Sequence, residues 1–203
     1  MKIVIVRHGP AKDIEKGQDI SRELTTAGTQ VVPNLGEFDK VFSSPAERCI
    51  ATAKLSTGGQ EPSIIESLST HLWDKEVLGS PGWELIERCY YNKAGELQEV
   101  PLSKIVLSEE EEEAWESLTA DAMNSMFYGC GDQWKSVLIC SHQFHCQKIA
   151  LEILEEQGSS ELKEFIRNMY LPPGGSFTLN VQESVVLPFR GRRGGIFFWK
   201  KGS

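Results

Sequence analysis

Apolar residues gather in two short runs, and each run stops at a histidine. Ile3, Val4, Ile5 and Val6 are consecutive and β-branched, and Arg7, His8 and Gly9 follow them. A β-branched run of this length closed by a glycine predicts a strand buried on both faces. Val137, Leu138, Ile139 and Cys140 form the second run, and Ser141 and His142 end it. Shorter apolar runs predict strands at 40–43, 62–65, 176–181 and 196–199.

Helical patterns separate these runs. Leu24 and Thr25 open one helix, with Thr25 as N-cap and Val31, Val32, Leu35 and Phe38 as its apolar face. Pro33 falls inside that pattern and is expected to kink or shorten the helix. Ser44-Pro45 reads as an N-cap followed by proline at the first helical position. The helix it opens carries Arg48 in its first turn, runs to about Ser56 and ends at Gly58-Gly59. Further helices are predicted from the acidic run to about Tyr128 and after His142, where Ile149, Ala150, Ile153 and Leu154 recur at helical spacing. Residues 66–107 have no clean period and hold Trp73, Trp83, Tyr90 and Tyr91 among several glycine and proline breakers. No element is assigned to the stretch from Phe165 to Tyr170 or to Pro172-Pro173-Gly174-Gly175.

Strands alternating with helical patterns imply βαβ units. The expected fold class is α/β, a three-layer α/β/α sandwich with a mainly parallel central sheet. The 203 residues fit a single domain, 1–203, with an insertion or lid at about 66–135. Ligands of open parallel sheets bind at the C-terminal tips of the strands, and that is where Arg7, His8, Ser141 and His142 lie.

Charge narrows the partners. The net charge is −8, and Glu109 to Glu113 are all acidic. Nucleic acids and anionic membranes select basic surfaces, so neither is expected as a partner. Arg190, Arg192 and Arg193 are too short a basic cluster to change this and read as solvated surface. The acidic run suits a helix N-terminus, whose dipole favours negative charge. No apolar stretch approaches the roughly 18 residues that cross a bilayer, and no secretory leader pattern is visible. A cytoplasmic location is expected, with Cys49, Cys89, Cys130, Cys140 and Cys146 reduced and mostly buried.

If the two histidine-ended strands are neighbours, His8, His142, Arg7 and Arg48 meet at one edge. An arginine fork matches phosphate oxygens, and helix N-termini favour anions. Two imidazoles beside two guanidiniums suit phosphoryl transfer with one imidazole as nucleophile. Positive neighbours disfavour protonation, so His8 should stay neutral, whereas an arriving dianionic phosphate should favour protonation of His142. His142 and His145 are three residues apart, but no third ligand of metal-site spacing stands out, so no metal is expected.

These residues resemble the histidine phosphatase superfamily, also called phosphoglycerate-mutase-like. Arg7-His8-Gly9 after an apolar strand looks like its hallmark, and Leu24-Thr25 to Gly28 resembles its LTxxG helix start. Ser43-Ser44-Pro45 through Arg48 to Thr52-Ala53 resembles its SSPxxRxxxTA segment, and Val137 to His142 its second histidine strand. The resemblance covers about 1–56 and 136–181. It implies that His8 becomes phosphorylated, that Arg7, Arg48 and His142 complete the phosphate pocket, and that no cofactor or metal is needed. Three positions depart from the pattern. Gln143-Phe144-His145 stand where small residues are usual, Pro10 replaces a polar residue, and Leu68-Ser69-Thr70-His71 lacks the glutamate acid of an LxExxxG segment. The proton donor is then His71, Glu66, Glu76, Glu84 or absent. A phosphorylated nitrogen would tolerate its absence, and short bacterial phosphohistidine phosphatases of the superfamily lack it; their Pro-Pro-Gly-Gly before a late strand also looks like this chain's. The expected function is hydrolysis of a phosphate monoester or phosphohistidine, on a small phosphorylated substrate or a phosphoprotein. A mutase-type phosphotransferase and a non-catalytic phosphate-binding module are the alternatives.

Overall fold

A computed structural model describes residues 1–13, 20–69, 101–128, 134–155, 159–181, 187–190 and 196–199. Its central sheet holds β1 (Lys2–Arg7), β2 (Lys40–Ser43), β3 (Ser63–Ile64), β4 (Ser136–Ser141) and β5 (Ser176–Asn180), in the spatial order β3-β2-β4-β1-β5. The first four are parallel, and β5 joins β1 as an antiparallel edge. The last strand expected from sequence stands apart. β6 (Leu187–Arg190), which the periodicity does not reveal, pairs antiparallel with β7 (Ile196–Trp199) in a separate two-stranded sheet.

Successive strand residues point to opposite faces, and the two apolar runs are buried on both. Ile3, Ile5, Val137 and Ile139 pack on one face against α3 (Glu109–Phe127), α4 (Gln143–Ile153) and α5 (Ser160–Asn168), through Met123, Met126, Ile149, Ile153 and Ile166. Val4, Val6, Leu138 and Cys140 pack on the other face against Ala46 and against Cys49 and Ala53 of α2 (Glu47–Ser56). Burial of each such side chain contributes about 1.5–3 kcal/mol before conformational entropy is subtracted. The result is the expected three-layer sandwich. α3, which falls within the stretch expected as an insertion or lid, contributes Trp115, Ala122 and Met123 to the buried interior. Residues 70–100 and 129–133 of that stretch lie outside the described residues, with Trp73, Trp83, Tyr90 and Tyr91.

Local chemistry explains the helix ends. In α1 (Thr26–Val31) the Thr25 hydroxyl accepts from the Gly28 N–H at 2.8 Å, the cap expected there. The helix then stops at Val31, because Pro33 pushes its predecessor Val32 to an extended conformation with ψ 121°. Leu35 and Phe38 therefore reach the interior from coil, not from a helical face. α2 ends as expected where Gly58 and Gly59 take positive φ, but its start differs. Ala46 is the N-cap with no side-chain bond, and the helix begins at Glu47, whose N–H donates to the Ile20 carbonyl at 2.9 Å; the Ser44 hydroxyl, 3.4 Å from the Ala46 N–H, also meets His142 Nε2 at 3.1 Å. Ser108 and Glu111 form a capping box at the head of α3, which places Glu109 to Glu112 at the positive end of its dipole. α5 was not foreseen. Its signal was the Ser159 cap, which accepts from Leu162 N–H, but Ile166 is its only fully inward apolar residue. Cys49, Cys140 and Cys146 are buried free thiols, while Cys89 and Cys130 lie outside the described residues. Among the described residues no helix is long and apolar enough to cross a membrane.

Gly28 fixes the loop that leaves β1. A Cβ there would stand 2.1 Å from the Pro10 carbonyl oxygen, and a Cβ on Gly9 would meet Gly28 O at 3.1 Å. Gly28→Ala gains about 1 kcal/mol of helix propensity, yet the backbone clash outweighs it. The expected outcome is a net loss of roughly 1–3 kcal/mol in urea denaturation; a midpoint equal to or above that of the unsubstituted protein would refute the close packing.

Candidate active site

The parallel pairing of β1 with β4 sets Arg7 opposite Ser141. The next residue on each strand is a histidine, so His8 and His142 become neighbours. The His8 N–H donates to the Ser141 carbonyl at 3.0 Å, and the two ring centroids are 5.2 Å apart. Arg48, in the first turn of α2, donates from Nη2 to His142 Nδ1 at 3.2 Å. Arg7 donates from Nη1 to Gln143 Oε1 at 2.9 Å and to the Leu171 carbonyl at 2.6 Å, and its guanidinium carbon lies 5.6 Å from the Tyr170 ring centroid. Arg7, His8, Arg48 and His142, the four residues the sequence points to, are thus brought together at the C-terminal tips of adjacent strands and the helix start beside them.

These partners fix the histidine tautomers. The Gly9 carbonyl only accepts, so at 2.8 Å it requires the proton of His8 on Nδ1 and leaves the lone pair on Nε2. A guanidinium only donates, so His142 Nδ1 is unprotonated and the proton sits on Nε2. That Nε2–H faces the Ser44 hydroxyl at 3.1 Å and Cys49 Sγ at 3.7 Å.

Electrostatics agree with two neutral rings. Burial first, then the Arg48 and Arg7 guanidiniums, hold His8 well below the usual histidine range, with Arg22 from the loop adding to the effect. Burial and Arg48, followed by His8, His145 and Arg7, do the same to His142. His145 sits behind His142, 6.1 Å away ring to ring, and burial alone brings it down to about 3. It is a packed histidine against Trp115, as its place on the inner face of α4 requires.

The surrounding backbone is fastened to the same groups. Gly9 N–H donates to Thr52 Oγ1 at 2.9 Å, and that hydroxyl donates to the Arg48 carbonyl at 2.7 Å. The loop after α5 straps the end of β1: Gly174 N–H donates to the His8 carbonyl at 3.0 Å, and Arg7 N–H donates to the Gly175 carbonyl at 2.9 Å. Gly174 takes φ 78°, and a Cβ on Gly175 would lie 2.8 Å from the Pro172 oxygen, so both positions favour glycine.

His71, Glu76 and Glu84, three of the candidate proton donors, lie outside the described residues. Glu66 is exposed at the start of the short 3-10 turn Glu66–Leu68. Ser44, Thr52, Gln143, Tyr170, Leu171 and Arg22 are the contributors that sequence reasoning missed. Ser44 was read as a helix cap, and nothing local marks a main-chain carbonyl such as that of Leu171 as an arginine acceptor. Among the described residues no group of three His, Cys, Asp or Glu side chains is placed to hold a metal. A cavity of about 440 Å³ between α3, α4 and α5 includes Glu112, Lys148, Leu151 and Arg167 in its lining and neither His8 nor His142, so it is separate from this site.

No family model matches the chain, and no curated protein matches it significantly. Solved structures do. A mutant phosphoserine phosphatase from Entamoeba histolytica, in complex with phosphoserine, is 21% identical over 97% of this chain and 94% of its own, with a TM-score of 0.52. An alpha-ribazole phosphatase from Shigella flexneri is 16% identical over 90% of this chain and 92% of its own, with a TM-score of 0.55. A putative alpha-ribazole-5'-P phosphatase from Escherichia coli is 16% identical over 100% and 96%, with a TM-score of 0.53. The fold is the one these phosphatases share, which is the histidine phosphatase fold that the sequence resemblance implies.

The neutral histidines make stability depend on pH. An unfolded histidine takes up a proton below about pH 6.5, whereas the buried His142 and His145 do not. The unfolded state then binds more protons, so stability is fully present above that value and is lost as pH falls toward the depressed folded values. The loss approaches about 1.4 kcal/mol per pH unit for each such ring. Urea midpoints measured between pH 7 and pH 5 should fall steadily, in a window above most carboxylate titration. A flat or rising profile would mean that these rings are not held neutral.

Proposed function

We propose that the chain is a phosphatase of the histidine phosphatase type, acting on a phosphate monoester or a phosphohistidine through a phosphorylated His8. The observation that carries this reading is the pair of imidazoles 5.2 Å apart at one sheet edge, with Arg7 and Arg48 beside them. Catalysis of this kind is positioning plus charge stabilisation, and the site supplies both.

In this reading the lone pair on His8 Nε2 attacks phosphorus. The bond from phosphorus to the leaving oxygen or nitrogen breaks, and its electron pair leaves with that atom. Arg7, Arg48 and His142 hold the equatorial oxygens as charge develops. Water then attacks phosphorus, the P–N bond breaks, and inorganic phosphate and neutral His8 are restored. The Nδ1–H bond to the Gly9 carbonyl keeps the ring aligned throughout and stabilises the positive charge it gains on phosphorylation. An ester substrate calls for a proton on its leaving oxygen, a role for which His71, Glu66, Glu76 and Glu84 are the candidates. A phosphohistidine substrate has no such requirement. The solved phosphatases above, one of them holding phosphoserine, support a small phosphorylated substrate; a phosphoprotein fits the same chemistry. No step uses a metal or cofactor.

The test is turnover of a generic aryl phosphate. His8→Ala should lower phosphate release by roughly a thousandfold or more while far-UV circular dichroism stays unchanged. Label from a radioactive substrate should be trapped on His8 in a base-stable form, and activity should survive a chelator. Retained turnover in His8→Ala would rule the mechanism out. Binding of phosphate without turnover or trapping would leave a phosphate-binding module instead.

A further inference from the structure

We infer that Gln143 is a positioning residue: its side-chain amide aims the Arg7 guanidinium at the anion, and it does so without carrying charge. The inference rests on the phosphatase reading and adds a component to that site. Gln143 opens α4 and is 2% exposed. It stands directly after His142, where the resembling family has small residues, and its length lets it span from the helix to β1. Oε1 accepts from Arg7 Nη1, and the Leu171 carbonyl accepts from the same nitrogen at 2.6 Å. Both hydrogens of Nη1 are thereby used, and the Tyr170 ring lies against the guanidinium.

With Nη1 tied down, the edge of the fork left for an oxyanion is Nε with Nη2. Nε is buried and has no hydrogen-bond partner among the described residues. A buried cationic donor in that state is costly unless an acceptor arrives, and two parallel N–H groups match two phosphate oxygens. Both acceptors that orient Arg7 are uncharged, an amide oxygen and a peptide oxygen. They fix the direction of the fork and leave its positive charge uncancelled for the ligand. A carboxylate in the same place would hold the fork equally well but would cancel that charge.

Two variants of the full chain test this, with inorganic phosphate as the probe and calorimetry as the readout. Gln143→Met keeps the length and burial but removes the acceptor. Gln143→Glu keeps the shape and the acceptor but adds a negative charge. Gln143→Met should bind phosphate about tenfold more weakly, as expected for losing a hydrogen bond to a charged group. Gln143→Glu should bind more weakly still. In an Arg7→Ala background, with phosphate at millimolar concentration, Gln143→Met should cause no further loss, because the residue acts only through Arg7. With an aryl phosphate substrate, KM should rise more than kcat falls. Unchanged phosphate affinity in either variant would overturn the inference, and so would an equal loss with and without Arg7. If one variant fails to fold, the other still decides. Absence of phosphate binding in the unsubstituted protein would remove the phosphatase reading, and this inference with it.

Discussion

Parallel hydrogen bonding between β1 and β4 is the constraint on which the candidate site depends. Parallel strands present the same end of the chain to the same edge of the sheet, so residues equally distant from their strand starts become neighbours. The register that pairs Val6 with Cys140 and Arg7 with Ser141 leaves His8 and His142 side by side. A slip of one residue would exchange the β4 side chains that face α2 with those that face α3 and α4, and so break the packing on both faces. The two-faced burial of Ile3 to Val6 and of Val137 to Cys140 therefore fixes the separation of the two imidazoles. Packing energy in the interior is converted into distance at the tip.

The tip itself is built against the usual preference of a buried region. Arg7 and Arg48 are 7% and 2% exposed, and among the described residues the acceptors that orient Arg7 are an amide and a carbonyl. Buried guanidiniums are ordinarily matched by carboxylates, because the desolvation cost is otherwise only partly offset. Around Arg7, neutral acceptors satisfy geometry and leave the field of the cation in place. Burial first, and then the guanidiniums of Arg48 and Arg7, hold His8 and His142 well below the usual histidine range. Such an arrangement costs stability, and under the phosphatase reading it would favour an arriving anion; the three-layer core tolerates it. Stability at the centre and strain of charge at the edge are two parts of one design.

Sequence reading reached the strands and their ends because buried parallel strands leave continuous apolar runs, and because histidine and arginine at such ends need partners. It placed Arg48 in the first turn after β2 from the helix start signalled by Ser44-Pro45. It misread Ser44, whose position before a proline fits a helix cap, because only the fold reveals that the Ile20 carbonyl takes the Glu47 N–H and that the Ser44 hydroxyl also meets His142. Leu35 and Phe38 kept helical spacing by coincidence, and the conformational restriction that Pro33 places on Val32 decided the matter locally. α5 escaped notice because one inward isoleucine is too sparse a period to register. The clamp on Arg7 was illegible for a different reason: Gln143 and the Leu171 carbonyl lie 136 and 164 residues away along the chain, and a main-chain oxygen carries no side-chain signature at all.

The hydrogen bond between Arg48 and His142 carries the chemistry one step further. It exists only while Nδ1 of His142 has a lone pair, since a guanidinium has no acceptor to offer. An imidazolium at position 142 would face an N–H with an N–H, and the contact would become repulsive. Protonation of His142 and its bond to Arg48 are therefore mutually exclusive. In the proposed phosphatase a bound dianion would remove the conflict, because its oxygens would accept from both groups at once and its charge would favour the protonated ring. In that reading Arg48 and His142 exchange their mutual bond for bonds to the same ligand. Ser44, on the far nitrogen of the ring, keeps the imidazole in place during that exchange.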